Sequence, residues 1–279
     1  MKNLFLIGGA MGIGKTTVSR ILKKTLQVMT VQLAGSDFTP AAFEQAFSHT
    51  DRNLRLYGII DRVDISKDEG KEYIKIVDYK SGNKEFSMEE MYYGLSMQLA
   101  VYMAAVLRDR PENAIPAGMF YYRLADPIVK RDGHPERAVL EELRVKGLVS
   151  GNPEVIRRLD HEFCTEAGGL SEAVKSFRIP VETDKSGQLK ATSKVADKEQ
   201  FLAVTDFVYE KLKEETEQIL AGTVEIAPFK LKKKTGCDYC PYASVCGFDK
   251  KRGGKYRALA PLSDEEVFEK LCDSRKKGD

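Results

Sequence analysis

The order of apolar segments between residues 54 and 124 limits the fold more than any other feature of this 279-residue chain. Two β-type runs come first, Leu54–Ile65 (LRLYGIIDRVDI) and Tyr73–Tyr79 (YIKIVDY), joined by the polar, glycine-bearing stretch SKDEGKE. Polar residues and a glycine between two such runs are hairpin chemistry. A helix follows from Ser87, where Ser87 and Glu90 form a capping-box pair; its sequence MYYGLSMQLAVYMAAVL is apolar nearly all round, to about Arg108. Residues 117–124 (AGMFYYRL) supply another strand. Strand, strand, helix, strand is not a string of βα units, so this segment is not expected to continue a parallel, doubly wound sheet.

The flanking segments are less regular. Val28–Leu33 reads as a short strand, and GSDFTPAAFEQAFSHTD as a loop followed by a short amphipathic turn. Residues 125–195 are charged and dotted with glycine, which suggests an insertion with a hairpin near Phe177–Leu189. A second amphipathic helix carries Phe201, Val204, Val208, Leu212 and Ile219 and stops at Gly222. A last short helix is expected over Asp264–Leu271.

Composition narrows the class of molecule. Hydrophobic residues make up 42% and charged residues 31%, as in a globular protein. The formal net charge is +2, so any surface for a polyanion must be a local patch. No apolar run approaches the roughly 20 residues of a membrane helix, and the N-terminus has no cleavage site of the signal-peptide type. Three of the five cysteines fall within ten positions. That spacing suits a metal or cluster site in a reducing compartment, and a cytoplasmic location is expected.

The two predicted strands bring acids together. Asp61 lies in GIIDRVD and Asp78 in IVDYKSG, so hairpin pairing lets both carboxylates converge at one end of the sheet. Lys80 is two residues beyond Asp78 and points to the same face. Two carboxylates form a hard-cation site suited to magnesium or manganese, with the Tyr79 carbonyl as a further ligand. Such an ion lowers the pKa of bound water and neutralises charge on a phosphate, while Lys80 orients the water or stabilises the developing charge. Gln98 and Tyr102, four apart in QLAVY, share a helix face and can hydrogen-bond near a strand-end site. The plainer alternative makes Asp78 and Lys80 a strand-end ion pair, with Gln98 and Tyr102 lining a core edge.

GIIDRVD, IVDYKSG and QLAVY together resemble the nuclease core of the PD-(D/E)XK superfamily in its RecB-like branch. With CDYCPYASVC and DPIVKRDG added, residues from about 35 to 279 resemble the C-terminal nuclease domain of the B subunit of AddAB-type helicase–nucleases. The resemblance implies an α/β fold: a restriction-endonuclease-like core, with a mixed central sheet flanked by helices, and a C-terminal cysteine cluster. It implies a magnesium-dependent deoxyribonuclease acting in double-strand-break processing and recombinational repair, with DNA and a large helicase–nuclease A subunit as partners. Asp61 and Asp78 would be metal ligands, Lys80 the catalytic lysine, and Gln98 and Tyr102 the helix motif beside them.

Cys237, Cys240 and Cys246 form C-x2-C-x5-C, a spacing that binds zinc or an iron–sulfur cluster, either of which needs four ligands. In the resembling family these three complete a 4Fe–4S cluster with an upstream cysteine. No cysteine precedes Cys164 here, so an incomplete cluster is expected, with Cys164 and Cys272 as substitutes and zinc as the other occupant. The adjoining FKLKKKTG is either a solvated charge run or a phosphate-contacting patch.

Residues 1–30 point elsewhere. GGAMGIGKTT matches G-x-x-x-x-G-K-[ST] through Gly9, Gly14, Lys15 and Thr16, after the apolar run LFLI and before a helix. The segment resembles the opening of a small P-loop nucleotide kinase and stops after one unit, so it reads as a strand–loop–helix appendage, a stray start joined to the nuclease region. The loop can bind phosphate, but ATP turnover is not expected of it. The expected organisation is therefore 1–30 appendage and 35–279 nuclease domain, the latter with core 54–124, insertion 125–195 and a cysteine-bearing region 196–279. Two other functions stay open: a DNA-binding or assembly module impaired by its missing N-terminal elements, and a nucleotide kinase.

Overall fold

A computed structural model describes residues 14–110, 113–129, 135–164 and 169–278. In chain order these form α1 (Gly14–Ala34), β1 (Thr39–Asp51), β2 (Leu54–Asp68), β3 (Lys71–Lys80), α2 (Met88–Tyr92), α3 (Gln98–Arg108) and β4 (Ala114–Arg123). Then come α4 (Pro135–Glu142), β5 (Lys146–Ser150), α5 (Pro153–Leu159), β6 (Val195–Ala196) and α6 (Lys198–Leu220). The tail holds β7 (Phe229–Leu231), β8 (Lys234–Thr235), α7 (Ala243–Cys246), β9 (Arg257–Ala258) and α8 (Asp264–Gly278). The chain divides into two compact units that interleave in sequence. The first comprises 1–45, 60–86 and 112–197, and the second 46–59, 87–111 and 198–279.

A six-stranded mixed sheet in the order β1-β2-β3-β4-β5-β6 organises the fold. β2 and β3 are antiparallel, β3 and β4 parallel, β4 and β5 antiparallel, and β5 and β6 parallel. The β2–β3 hairpin closes through Glu69 and Gly70, both at positive φ (44° and 78°). A two-residue loop of this hand matches the twist of the strands it joins. In the first unit one face of the sheet packs Tyr73, Val77, Phe120, Tyr122 and Val149 against Val28 of α1, Leu143, and Val155 and Ile156 of α5. Side chains on the other face, Ile74, Ile76, Met119 and Leu148, are buried too. Strands buried on both faces read as near-continuous apolar runs, which is the composition of β3 and β4.

Packing is tightest where β5 crosses β4. A Cβ added at Gly147 would stand 2.0 Å from the Met119 carbonyl oxygen, which is backbone and cannot swing away. Gly147→Ala is therefore expected to cost about 3 kcal/mol or more, as overpacking in a close-packed interior does, read as a lowered denaturant midpoint.

In the second unit α6 packs on α3 and α8, with Phe201, Val204 and Val208 buried on α6 and Leu99, Ala100 and Met103 buried on α3. Arg275 of α8 pairs with Asp206 of α6 at 2.8 Å. A small three-stranded sheet, β8-β7-β9, completes the unit.

Five expectations are corrected. Val28–Leu33 is not a strand; it continues α1, because no glycine or proline interrupts the helix before Gly35 and Val28 has a core to enter. The stretch expected as loop and turn forms the thirteen-residue strand β1, bent at Glu44 (φ 48°). Its Pro40 is tolerated because β1 is the first strand of the sheet order, where a missing N–H need not break a ladder. The helix expected from Ser87 to Arg108 is two: Ser87 caps α2 by accepting the Glu90 N–H at 3.1 Å, and the break carries Gly94 at φ 77°. Residues expected in an irregular insertion supply β5 and β6 to the central sheet, since Phe120 pairs with Gly147 and Val149 with Val195. Finally, near Phe177–Leu189 the expected hairpin is reduced to isolated bridges, Lys175 with Glu182 and Thr183 with Leu189.

Candidate active site

Antiparallel pairing of β2 with β3 runs in register from Asp68↔Lys71 to Arg62↔Val77. The registered ladder ends there, one residue short of Asp61 on β2 and of Asp78 on β3. Here the Asp61 carboxylate itself engages the neighbouring strand: its Oδ2 accepts the Tyr79 N–H at 2.7 Å. Asp78 is 1% exposed, and its Oδ2 lies 2.6 Å from Lys80 Nζ. Burial holds the Asp78 carboxyl above the ordinary aspartate range; Lys80 pulls it back and the Asp61 charge pushes it up again. The two acids therefore feel each other, and Lys80 partly compensates. Lys80 Nζ also stands 5.6 Å from the centre of the Tyr121 ring, on the parallel neighbour β4 where Tyr121 pairs with Asp78.

The residues present fit a divalent ion of the magnesium type. Two neighbouring carboxylates, one of them buried beside a like charge, make a site that a cation neutralises, and magnesium keeps much of its shell as water. No three His, Cys, Asp or Glu side chains among the described residues are grouped to hold a metal, so an ion here would draw on these two acids and on backbone or solvent oxygen.

On the opposite face of the same strands lies a buried ionic cluster that the motif reading missed. Arg62 donates from Nη2 to Asp64 Oδ2 at 2.9 Å, and its Nε stands 2.8 Å from Asp64 Oδ1. Lys75 Nζ approaches Asp64 Oδ2 to 2.8 Å. Arg62 Nη1 also donates to Tyr79 Oη at 2.9 Å. The available signal was alternation. Arg62, Asp64 and Ser66 occupy every second position of a strand whose flanking Val63 and Ile65 are apolar, and charged residues in such a series are either exposed or paired.

Gln98 and Tyr102 stand one turn apart on α3, and Gln98 Nε2 donates to Tyr102 Oη at 2.9 Å. The Tyr102 ring meets Phe47 edge-on, with centroids 5.9 Å apart. Both residues belong to the second unit, whereas Asp61, Asp78, Tyr79 and Lys80 belong to the first.

The expected cysteine cluster is not confirmed. Among the described residues Cys237, Cys240 and Cys246 are free thiols that do not gather into a metal-holding group, and Cys164 and Cys272 are free as well. The Cys237 side chain neighbours Tyr256 and holds the tyrosine pKa above its ordinary value. Among the described residues, the four converging ligands that a closed 4Fe–4S or zinc site requires are not grouped. The lysine run beside them is partly committed within its own unit: Lys232 pairs with Glu89 at 2.8 Å, and Lys234 pairs with Glu90. Of the phosphate-loop residues, Gly9 and the side chains of Lys15 and Thr16 lie outside the described residues, while Gly14 opens α1.

A family model described as the PD-(D/E)XK nuclease superfamily matches residues 9–247. The chain belongs to that superfamily. The match begins at residue 9, so α1 falls inside the matched span. Among curated relatives, a protein of Lachnoclostridium phytofermentans is 42% identical over 259 residues, and one of Clostridium botulinum is 36% identical over 278 residues. A Thermoanaerobacter relative is 34% identical over 275 residues. Each is named as the B subunit of an ATP-dependent helicase/deoxyribonuclease. The matches cover 91% of this chain but only 23% of each relative, so the chain spans about a quarter of the length of these proteins.

Proposed function

We propose that this chain is a magnesium-dependent DNA nuclease domain, hydrolysing phosphodiester bonds as part of a helicase–nuclease subunit that processes double-strand ends for recombinational repair in the cytoplasm. One observation supports the chemistry: Asp61, which accepts the Tyr79 N–H, lies near enough to Asp78 for their charges to interact, and Asp78 is 2.6 Å from Lys80 Nζ. Relatives named as helicase/deoxyribonuclease subunits support the substrate and a large partner subunit. No helix among the described residues is long and apolar enough to cross a membrane.

Asp61 and Asp78, with the Tyr79 carbonyl, would hold the ion, and a bound magnesium ion supplies charge neutralisation at the scissile phosphate and a more acidic water. The Lys80 ammonium, held between Asp78 and the Tyr121 ring, donates hydrogen bonds to the attacking water or to phosphate oxygens as charge builds there. Gln98 and Tyr102, hydrogen-bonded to each other, present a polar pair for the nucleic-acid backbone.

The test is cleavage of linear single- and double-stranded DNA by the purified chain in magnesium, with a chelator control. Wild type should cut, chelation should stop it, and Asp78→Asn should be inert. DNA retained without cutting by wild type would instead favour a binding or assembly module. Lys80→Ala separates chemistry from binding: kcat should fall by about 10²-fold, the scale for losing one preorganised charge stabiliser, with the Kd for DNA changed less than about threefold.

A further inference from the structure

Two adjacent residues of β2 grip one residue of β3 just beyond the registered pairing of the two strands. Asp61 accepts the Tyr79 N–H at 2.7 Å, and Arg62, on the reverse face, donates to Tyr79 Oη at 2.9 Å. The Arg62 guanidinium, 4% exposed, is held by Asp64 at 2.8 and 2.9 Å. Asp64, fully buried, is held in turn by Lys75 at 2.8 Å. The Tyr79 ring rests edge-on against Tyr122 with centroids 5.8 Å apart, which fixes the direction of its hydroxyl.

A buried ionic cluster is a weak device for stability alone, because apolar residues of the same volume usually serve as well. Its value is geometric: bidentate arginine–carboxylate pairing fixes angles as well as distances. Here it fixes the strand end that must bring two like charges near each other, against their repulsion. Resting on the reading of Asp61 and Asp78 as ion ligands, we propose that the Arg62–Tyr79 clip, braced by Asp64 and Lys75, is a positioning device that presets the spacing of the acid pair for a divalent cation. Arg62, Asp64 and Lys75 touch neither ion nor DNA in this scheme; they act through Tyr79 and the backbone of both strands. Preforming the pair removes the reorganisation that binding would otherwise have to drive.

Tyr79→Phe tests this with the smallest change, removing one hydroxyl and keeping the ring. Manganese alone, titrated into the DNA-free protein by calorimetry, should bind about fivefold to tenfold more weakly than to wild type. In cleavage at saturating magnesium, kcat should fall about fivefold while the KM for DNA stays within twofold. Val149→Ala, a cavity variant in the same core, serves as the control for general loosening; it should lower the melting temperature yet leave manganese affinity unchanged. Wild-type manganese affinity in Tyr79→Phe, or an equal loss in Val149→Ala, would overturn the proposal. Asp78→Asn separates the two readings. If it binds manganese like wild type, the acids are not the ion ligands and both fail; if it loses manganese while Tyr79→Phe does not, only the clip fails.

Discussion

Asp78→Asn is expected to lower kcat for DNA cleavage by on the order of 10³-fold, because under the proposed function it removes one of two charged oxygen ligands and halves the charge that holds the ion. The same substitution should not unfold the protein. Asp78 is almost wholly buried, and burial together with the Asp61 charge holds its carboxyl above the usual range. A carboxyl raised in the folded state works against folding once the pH exceeds that raised value, and the penalty vanishes below its ordinary, unfolded value. In chelator at neutral pH, Asp78→Asn should therefore melt at or above the wild-type temperature, the gap narrowing as the pH falls through the carboxylate range. Paired scanning calorimetry from pH 7 to pH 4 would show it. A variant that loses activity because it melts well below wild type would remove the case for a ligand role.

The largest stability effect is expected on the reverse face of the same strands. Asp64→Ala should cost about 3–5 kcal/mol, the scale for stripping one partner from a buried ion pair. It leaves two cations, Arg62 and Lys75, without the fully buried carboxylate that both approach within 3 Å. Burial already lowers the Lys75 pKa, and Asp64 is the main influence raising it. With Asp64 gone, Lys75 can shed its proton more readily. The destabilisation should then shrink as the pH rises, since a neutral amine no longer needs the missing charge. Urea titrations at pH 7 and pH 9 measure both the size and the slope. A loss below about 1 kcal/mol at pH 7 would show that water or a neighbouring group takes the place of the carboxylate.

Legibility in the sequence followed the range of the forces involved. The β2–β3 hairpin, the Ser87 cap, the strand around residues 117–123 and the helix from Lys198 were all readable, because alternation, turn residues and caps act over a few positions. The register of the hairpin from Asp68↔Lys71 to Arg62↔Val77 follows for the same reason: once a hairpin closes through two residues, its pairing is set along its length. What failed depended on distant partners. β1 carries Pro40, a loop-like signal, and is a strand because β2 offers it a ladder. β5 is five residues in a charged region and gains its identity from β4, with Gly147 allowing the close approach. Val28 to Leu33 favours a strand by local preference, yet the core at Val28 keeps it helical.

The sequence by itself determined the chemistry available: two acids and a lysine at the end of a hairpin, a glutamine and tyrosine one helical turn apart, and three close cysteines. Tertiary structure decided which of these meet. It set Asp61 on the Tyr79 amide and buried Asp78 beside Lys80; it placed Arg62, Asp64 and Lys75 behind them, and it left the cysteines unassembled among the described residues. The reason lies in how each contact is specified. Spacing along a chain dictates contacts within a turn or a hairpin, whereas a fourth cluster ligand or a buried counter-ion comes from whatever distant segment the packing delivers.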